Sequence, residues 1–115
     1  CCLLESKLQL YDDLLGRYAD AFGAEQVCHA PIPDFEAIPP NQWTDVIYPF
    51  LKRADEADAP VVVHCSAGMG RTGQVLALWL ACERGQALED AVSIVRQHGR
   101  TPLEAASRAD LSRVL

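Results

Sequence analysis

The sequence predicts a layered α/β domain with a central, mainly parallel sheet flanked by helices. Three observations carry this expectation. Apolar segments alternate between strand-like and helix-like period along the chain. Val61-Val62-Val63 is an uninterrupted apolar run of the kind found in a strand buried on both faces. Directly behind it, a glycine-rich loop opens onto a helix that is apolar on almost every side. The 115 residues read as a single domain, 1–115, because one core usually serves about 100 to 200 residues.

The elements follow in order. Residues 1–4 are a short apolar strand. Leu8, Tyr11, Leu14, Leu15, Tyr18, Ala19 and Phe22 recur at spacings of three and four, so 7–22 reads as a helix that Gly23 stops. Residues 26–30 are a second strand, running into the loop Pro31-Ile32-Pro33-Asp34-Phe35, which Pro39-Pro40 closes. Asn41 is placed to cap a helix over 41–57, with Pro49 expected to kink it. The strand 60–64 follows, then a helix over 72–84 that Gly85 ends, then an amphipathic helix with Leu88, Ala91, Val92 and Val95 on one face. Residues 101–115 read as a polar tail. The two helices at 7–22 and 41–57 are long enough to serve as crossovers between parallel strands.

Charge and cysteine usage narrow the function. Ten Lys and Arg against sixteen Asp and Glu give a net charge of −6, which disfavours binding to a nucleic-acid backbone or an anionic membrane surface. The longest apolar run, 75–82, is eight residues against the roughly 20 that span a bilayer. Cysteines at 1, 2, 28, 65 and 82 show no paired spacing, which suits a reducing, cytoplasmic setting better than a disulfide scaffold. The opening Cys1-Cys2-Leu3-Leu4, without an initiator Met or basic leader, reads as an N-terminally truncated or processed chain.

The chemistry concentrates in one loop. In open parallel sheets, ligands sit beyond the carboxyl ends of the strands, where Cys65 falls. Gly68, Gly70 and Gly73 let the backbone turn its N–H groups inward, and the following helix adds the positive end of its dipole. That nest suits an oxyanion, and the same field favours a thiolate at Cys65. Arg71 returns to the rim, where its planar fork can hold two phosphoryl oxygens.

His64-Cys65-Ser66-Ala67-Gly68-Met69-Gly70-Arg71-Thr72-Gly73 resembles the H-C-x5-R-[S/T] signature of the protein tyrosine phosphatases, and the short chain resembles their compact dual-specificity branch. The resemblance implies a phosphatase-like α/β fold whose N-terminal strands are expected to be missing from this chain. It also implies a metal-independent, cofactor-free phosphate monoester hydrolase acting on phosphotyrosine proteins, with phosphoserine or phosphothreonine as further substrates. Cys65 would form a cysteinyl-phosphate, with His64, Ser66, Ala67, Gly68, Met69, Gly70 and Arg71 as the phosphate-binding loop. Thr72 would hydrogen-bond Cys65 and ease its departure, and Asp34, in Ile32-Pro33-Asp34, would be the general acid. The family's usual Trp is Ile32 here, and the loop lacks the lysines of a phosphoinositide pocket.

Blander readings stand beside these. A lone cysteine is more often an inert buried thiol, and a Pro-Asp pair more often a turn. Arg96 and Arg100 would add positive potential near the site or, as is commoner, lie on a solvated helix face; Trp43 and Trp79 suit a core, and His29 and His98 have no partner at metal-ligand spacing. A silent phosphate-binding module and a rhodanese or arsenate-reductase type of Cys-loop enzyme are the alternatives, and Cys1 or Cys2 could resolve an oxidised Cys65.

Overall fold

A computed structural model describes every residue except Glu5, Asp34, Ala67, Gly68 and Ala105, and the backbone alone of Ser6 and Lys7. Residues 1–4 form the centre of the fold, with Cys2, Leu3 and Leu4 at 1, 0 and 1% exposure. On one side the Cys2 N–H donates to the Cys28 carbonyl and the Cys2 carbonyl accepts from the Ala30 N–H, at 2.7 and 2.9 Å. On the other, the His64 N–H donates to the Cys1 carbonyl and the Leu3 N–H to the His64 carbonyl, at 3.0 and 2.9 Å.

This corrects the expected fold class. Among the described residues the central, mainly parallel sheet is not formed: 58% are helical and 3% are in strand pairing. Among the described residues, the extended segments meet only through isolated parallel bridges, Cys2 with His29 and Cys2 with His64. The composition of the segments explains why no ladder grows. Ala30 and Ile32 donate toward residues 1–4, and the alternate positions are Pro31 and Pro33, which have no N–H for a further neighbour. Beyond His64 the chain passes directly into the glycine-rich loop. The Val61-Val62-Val63 run is also not the twice-covered strand its composition suggests: Val62 is 77% exposed, and Val61 and Val63 are half-buried. The twice-covered segment is 1–4.

The helices surround this knot of extended chain. The helix expected over 7–22 is broken into a 3₁₀ turn, Ser6–Leu10, and α1, Leu14–Phe22. Asp13 sits between them at φ 51, a left-handed conformation that Asp tolerates better than most residues. Gly23, at φ 90, ends α1 as expected, and a 3₁₀ turn, Ala24–Gln26, replaces the start of the second strand. Asn41 is not a cap: Pro39 takes that place and Pro40 opens α2, Pro40–Gln42, where its missing N–H has no role. The chain stays helical through a π segment, Trp43–Ile47, into α3, Tyr48–Glu56. The wide π turns lie just before Pro49, which has no N–H to return to Asp45, so the expected disturbance takes this form.

α4, Gly70–Glu83, starts two residues earlier than its apolar pattern suggests and buries residues 71–75, 77 and 78. Gly85 follows it at φ 68. α5, Leu88–Gln97, packs against α4 with Ala91, Val92 and Val95 buried. Glu83, on α4, accepts from Tyr48 Oη at 2.7 Å and from Lys52 Nζ, joining α4 to α3. The tail holds an element that the sequence reading passed over: α6, Arg108–Val114, begins with a capping box between Ser107 and Asp110 and buries Leu111. Gly73 lets α4 approach the segment before α6. A Cβ there would lie 2.9 Å from the Pro102 nitrogen, a backbone atom with little room to give.

Candidate active site

His64 carries the last bridge, so both of its backbone groups are held by residues 1–3 and Cys65 leaves a fixed base. The His64 ring meets Tyr18 edge-on, with ring centroids 5.7 Å apart and Nε2 3.0 Å from Tyr18 Oη. Cys65 is 8% exposed, and Thr72 Oγ1 donates to its sulfur at 3.2 Å. The expected partners therefore meet: the thiol and the hydroxyl lie together where α4 begins.

Arg71 differs from its expected place at the rim. It is 7% exposed, and its Nη1 donates to the Ile32 carbonyl at 2.7 Å and to the Leu3 carbonyl at 3.4 Å. Of the other loop residues, Ser66 is exposed, Met69 and Gly70 are half-buried, and Ala67 and Gly68 lie outside the described residues. The Met69 carbonyl accepts from the Gly73 N–H at 2.9 Å and the Thr101 N–H at 3.3 Å, and Arg100 Nη1 stands 3.9 Å from the Met69 sulfur. Arg100 thus touches the loop's edge instead of lying on a purely solvated face. Met69, Arg96, Thr101, Leu103 and Glu104 line an open cleft of about 580 Å³ beside it.

Asp34 also lies outside the described residues, but the chain on either side of it is held. Gln42 Nε2 donates to the Pro31 carbonyl at 3.0 Å, Arg71 holds the Ile32 carbonyl, and Gln74 bonds the backbone of Glu36 and Ile38. Gln74, Gln42 and Tyr18 were missed as site-supporting residues. Only Gln74 left a local signal, as an amide among the apolar residues of α4. His29 bonds the Leu4 carbonyl through Nε2 at 2.8 Å, and among the described residues no group of three or more His, Cys, Asp or Glu is placed to hold a metal ion.

Burial pushes the Cys2 and Cys28 thiols up. A protonated thiol that is also 1% exposed makes Cys2 a poor resolving nucleophile for an oxidised Cys65. Burial pulls His64 below its ordinary 6.5, although a hydrogen bond to the Cys65 backbone opposes the shift. The unfolded chain therefore takes up this proton first on acidification. Stability contributed by neutral His64 is complete above 6.5 and is lost as pH falls below it, through the lowered folded value. The urea midpoint should fall between about pH 7.5 and 5.5, and fall less in His64→Gln. An equal fall in both proteins would remove His64 as its source.

A buried thiol bonded to a threonine at a helix start, next in sequence to an arginine tied to the neighbouring loop, belongs with the protein tyrosine phosphatase superfamily on its dual-specificity-like side. More particularly, the chain belongs to the family described as polymorphic toxin system, DSP-PTPase phosphatase, whose model matches residues 5–86. It is 26% identical over 80 residues to the dual specificity protein phosphatase OPG106 of Vaccinia virus (strain Western Reserve), covering 70% of this chain and 47% of that protein. It is 50% identical over 46 residues to the receptor-type tyrosine-protein phosphatase R of Rattus norvegicus, covering 38% of this chain and 7% of that one. The chain thus spans half or less of these relatives. Among solved structures, the active form of Tk-PTP superposes with a TM-score of 0.74 at 29% identity, covering 98% of this chain and 71% of that one. Among the described residues, no helix is long and apolar enough to cross a membrane.

Proposed function

We propose that this chain is a cysteine-dependent phosphatase that hydrolyses phosphate monoesters of proteins, with phosphotyrosine the first substrate class to test and phosphoserine and phosphothreonine the next. The observation that carries the reading is the Thr72 Oγ1 to Cys65 Sγ hydrogen bond at the start of α4, on a chain whose family is the DSP-PTPase phosphatases. In the first step the Cys65 sulfur attacks phosphorus, the ester P–O bond breaks, and Asp34 gives its proton to the leaving oxygen. Arg71 and the N–H groups of loop 65–70 hold the phosphoryl oxygens as charge shifts among them. In the second step water attacks phosphorus, the Asp34 carboxylate takes its proton, and the S–P bond breaks with the Thr72 hydroxyl easing departure of the thiolate. No metal ion or cofactor enters either step as written. A thiol nucleophile survives in a reducing compartment, which supports a cytoplasmic place of action.

The test is hydrolysis of para-nitrophenyl phosphate between about pH 4 and 8 with EDTA present, the range over which a carboxylic acid and a thiolate titrate. Turnover is expected in the wild type. Asp34→Asn is expected to lower kcat about 100-fold or more and to change substrate affinity little, the scale of a lost general acid. Wild-type rates for Asp34→Asn at every pH would transfer the acid role elsewhere. An inactive, folded wild type would favour a silent phosphate-binding module.

A further inference from the structure

α4 presents one uncharged amide within a run of apolar side chains, and both ends of that amide face the loop 31–38. Gln74 is 0% exposed; its Oε1 accepts from the Ile38 N–H at 2.9 Å and its Nε2 donates to the Glu36 carbonyl at 3.1 Å. Three residues earlier, on the same face of the helix, Arg71 Nη1 donates to the Ile32 carbonyl at 2.7 Å. The first turn of α4 therefore grips the loop both before and after position 34, and the same turn fixes Cys65 through Thr72.

We propose that Gln74 is a positioning residue for the general acid: it holds the leg of the loop that follows Asp34, so that the carboxyl meets the leaving oxygen over Cys65. This rests on the reading of Asp34 as the acid. The chemistry of the slot selects an amide. A backbone N–H and a backbone C=O two residues apart need one acceptor and one donor from the same side chain, and glutamine supplies both without charge. A methionine of similar length supplies neither. A carboxylate accepts from Ile38 but offers no proton to Glu36.

The experiment compares two aryl phosphates in the full chain. Phenyl phosphate has a poor leaving group that needs the acid, and 2,4-dinitrophenyl phosphate departs without a proton. Gln74→Met should lower kcat/KM for the phenyl ester about 10-fold or more and stay within about 2-fold on the dinitrophenyl ester, since kcat/KM reports the steps through the first P–O cleavage, in which only the phenyl ester needs the proton, and not the second step that both esters share. A role confined to packing would lower both rates alike, and an unchanged ratio of the two esters overturns the proposal. Gln74→Glu carries the same test should Gln74→Met fail to fold. Relative to wild type, its ester ratio should recover at about pH 5, where a buried carboxyl is protonated and can donate to Glu36, and worsen at about pH 7; the same relative ratio at both pH values counts against the proposal. Asp34→Asn separates the two ideas. If it leaves the ester ratio unchanged, the acid reading falls, and amide hydrogen exchange at 36–38 in Gln74→Met decides the rest: faster exchange there than in wild type supports the brace, and equal exchange overturns it.

Discussion

Cys65→Ser is expected to abolish turnover, by on the order of 10⁴-fold or more, while the folded protein still binds a phosphotyrosine peptide. A nucleophile and its partners act as a unit, so removing it costs most of what the site contributes. The substitution leaves the surroundings in place: the site is 8% exposed, and Thr72 Oγ1 can still donate to an oxygen where it now donates to sulfur at 3.2 Å. A serine hydroxyl at neutral pH is overwhelmingly protonated, whereas a thiol lies within reach of ionisation. In the proposed mechanism binding depends on Arg71 and the loop amides, which the change leaves in place. Stopped-flow turnover of an aryl phosphate, set beside peptide binding by calorimetry, decides the matter. Residual turnover above about 1% of wild type would place the nucleophile elsewhere, because background hydrolysis of phosphate monoesters is among the slowest reactions known.

Arg71→Lys is expected to lower kcat about 100- to 1,000-fold, although the charge is kept. One oxyanion donor is worth that much in a preorganised site. In the proposed mechanism arginine has two tasks that a point charge does not combine: Nη1 anchors on the Ile32 carbonyl at 2.7 Å, and the planar guanidinium thereby takes a fixed orientation for the phosphoryl oxygens. A lysine ammonium can satisfy the carbonyl or approach the substrate. The tie to loop 31–38 loosens in either case, so the loss should be larger on phenyl phosphate than on the dinitrophenyl ester. A lysine variant within about 3-fold of wild type on both esters would show that charge alone suffices and that the fork has no part.

The loop that the proposed chemistry uses was legible because its residues are local. His64, Cys65, Arg71 and Thr72 are neighbours in sequence, and a strand-to-helix loop this short brings them together in almost any fold that forms it. The bond between Thr72 and Cys65 is such a case. The supports were not legible, because they come from distant segments. Tyr18 reaches His64, Gln42 reaches Pro31, and Thr101 reaches Met69 only after the chain has folded back. Asp34 stays a reading of sequence, since it lies outside the described residues.

By itself the sequence determined where helices begin and end when local groups decide it: Gly23 and Gly85 stop α1 and α4, and the apolar stripe of α5 is the stripe that is buried. It also determined the composition of the loop around Cys65. Tertiary structure decided which extended segment is covered on both sides, Cys1 to Leu4 and not Val61 to Val63, and that their pairing stops at single bridges. The physical reason is that strand pairing depends on N–H and C=O groups of segments far apart in the chain, so hydrophobic period marks a segment as extendable without fixing its neighbours or its register. A loop's turn and a helix's cap are settled within a few residues, and they are written where they act.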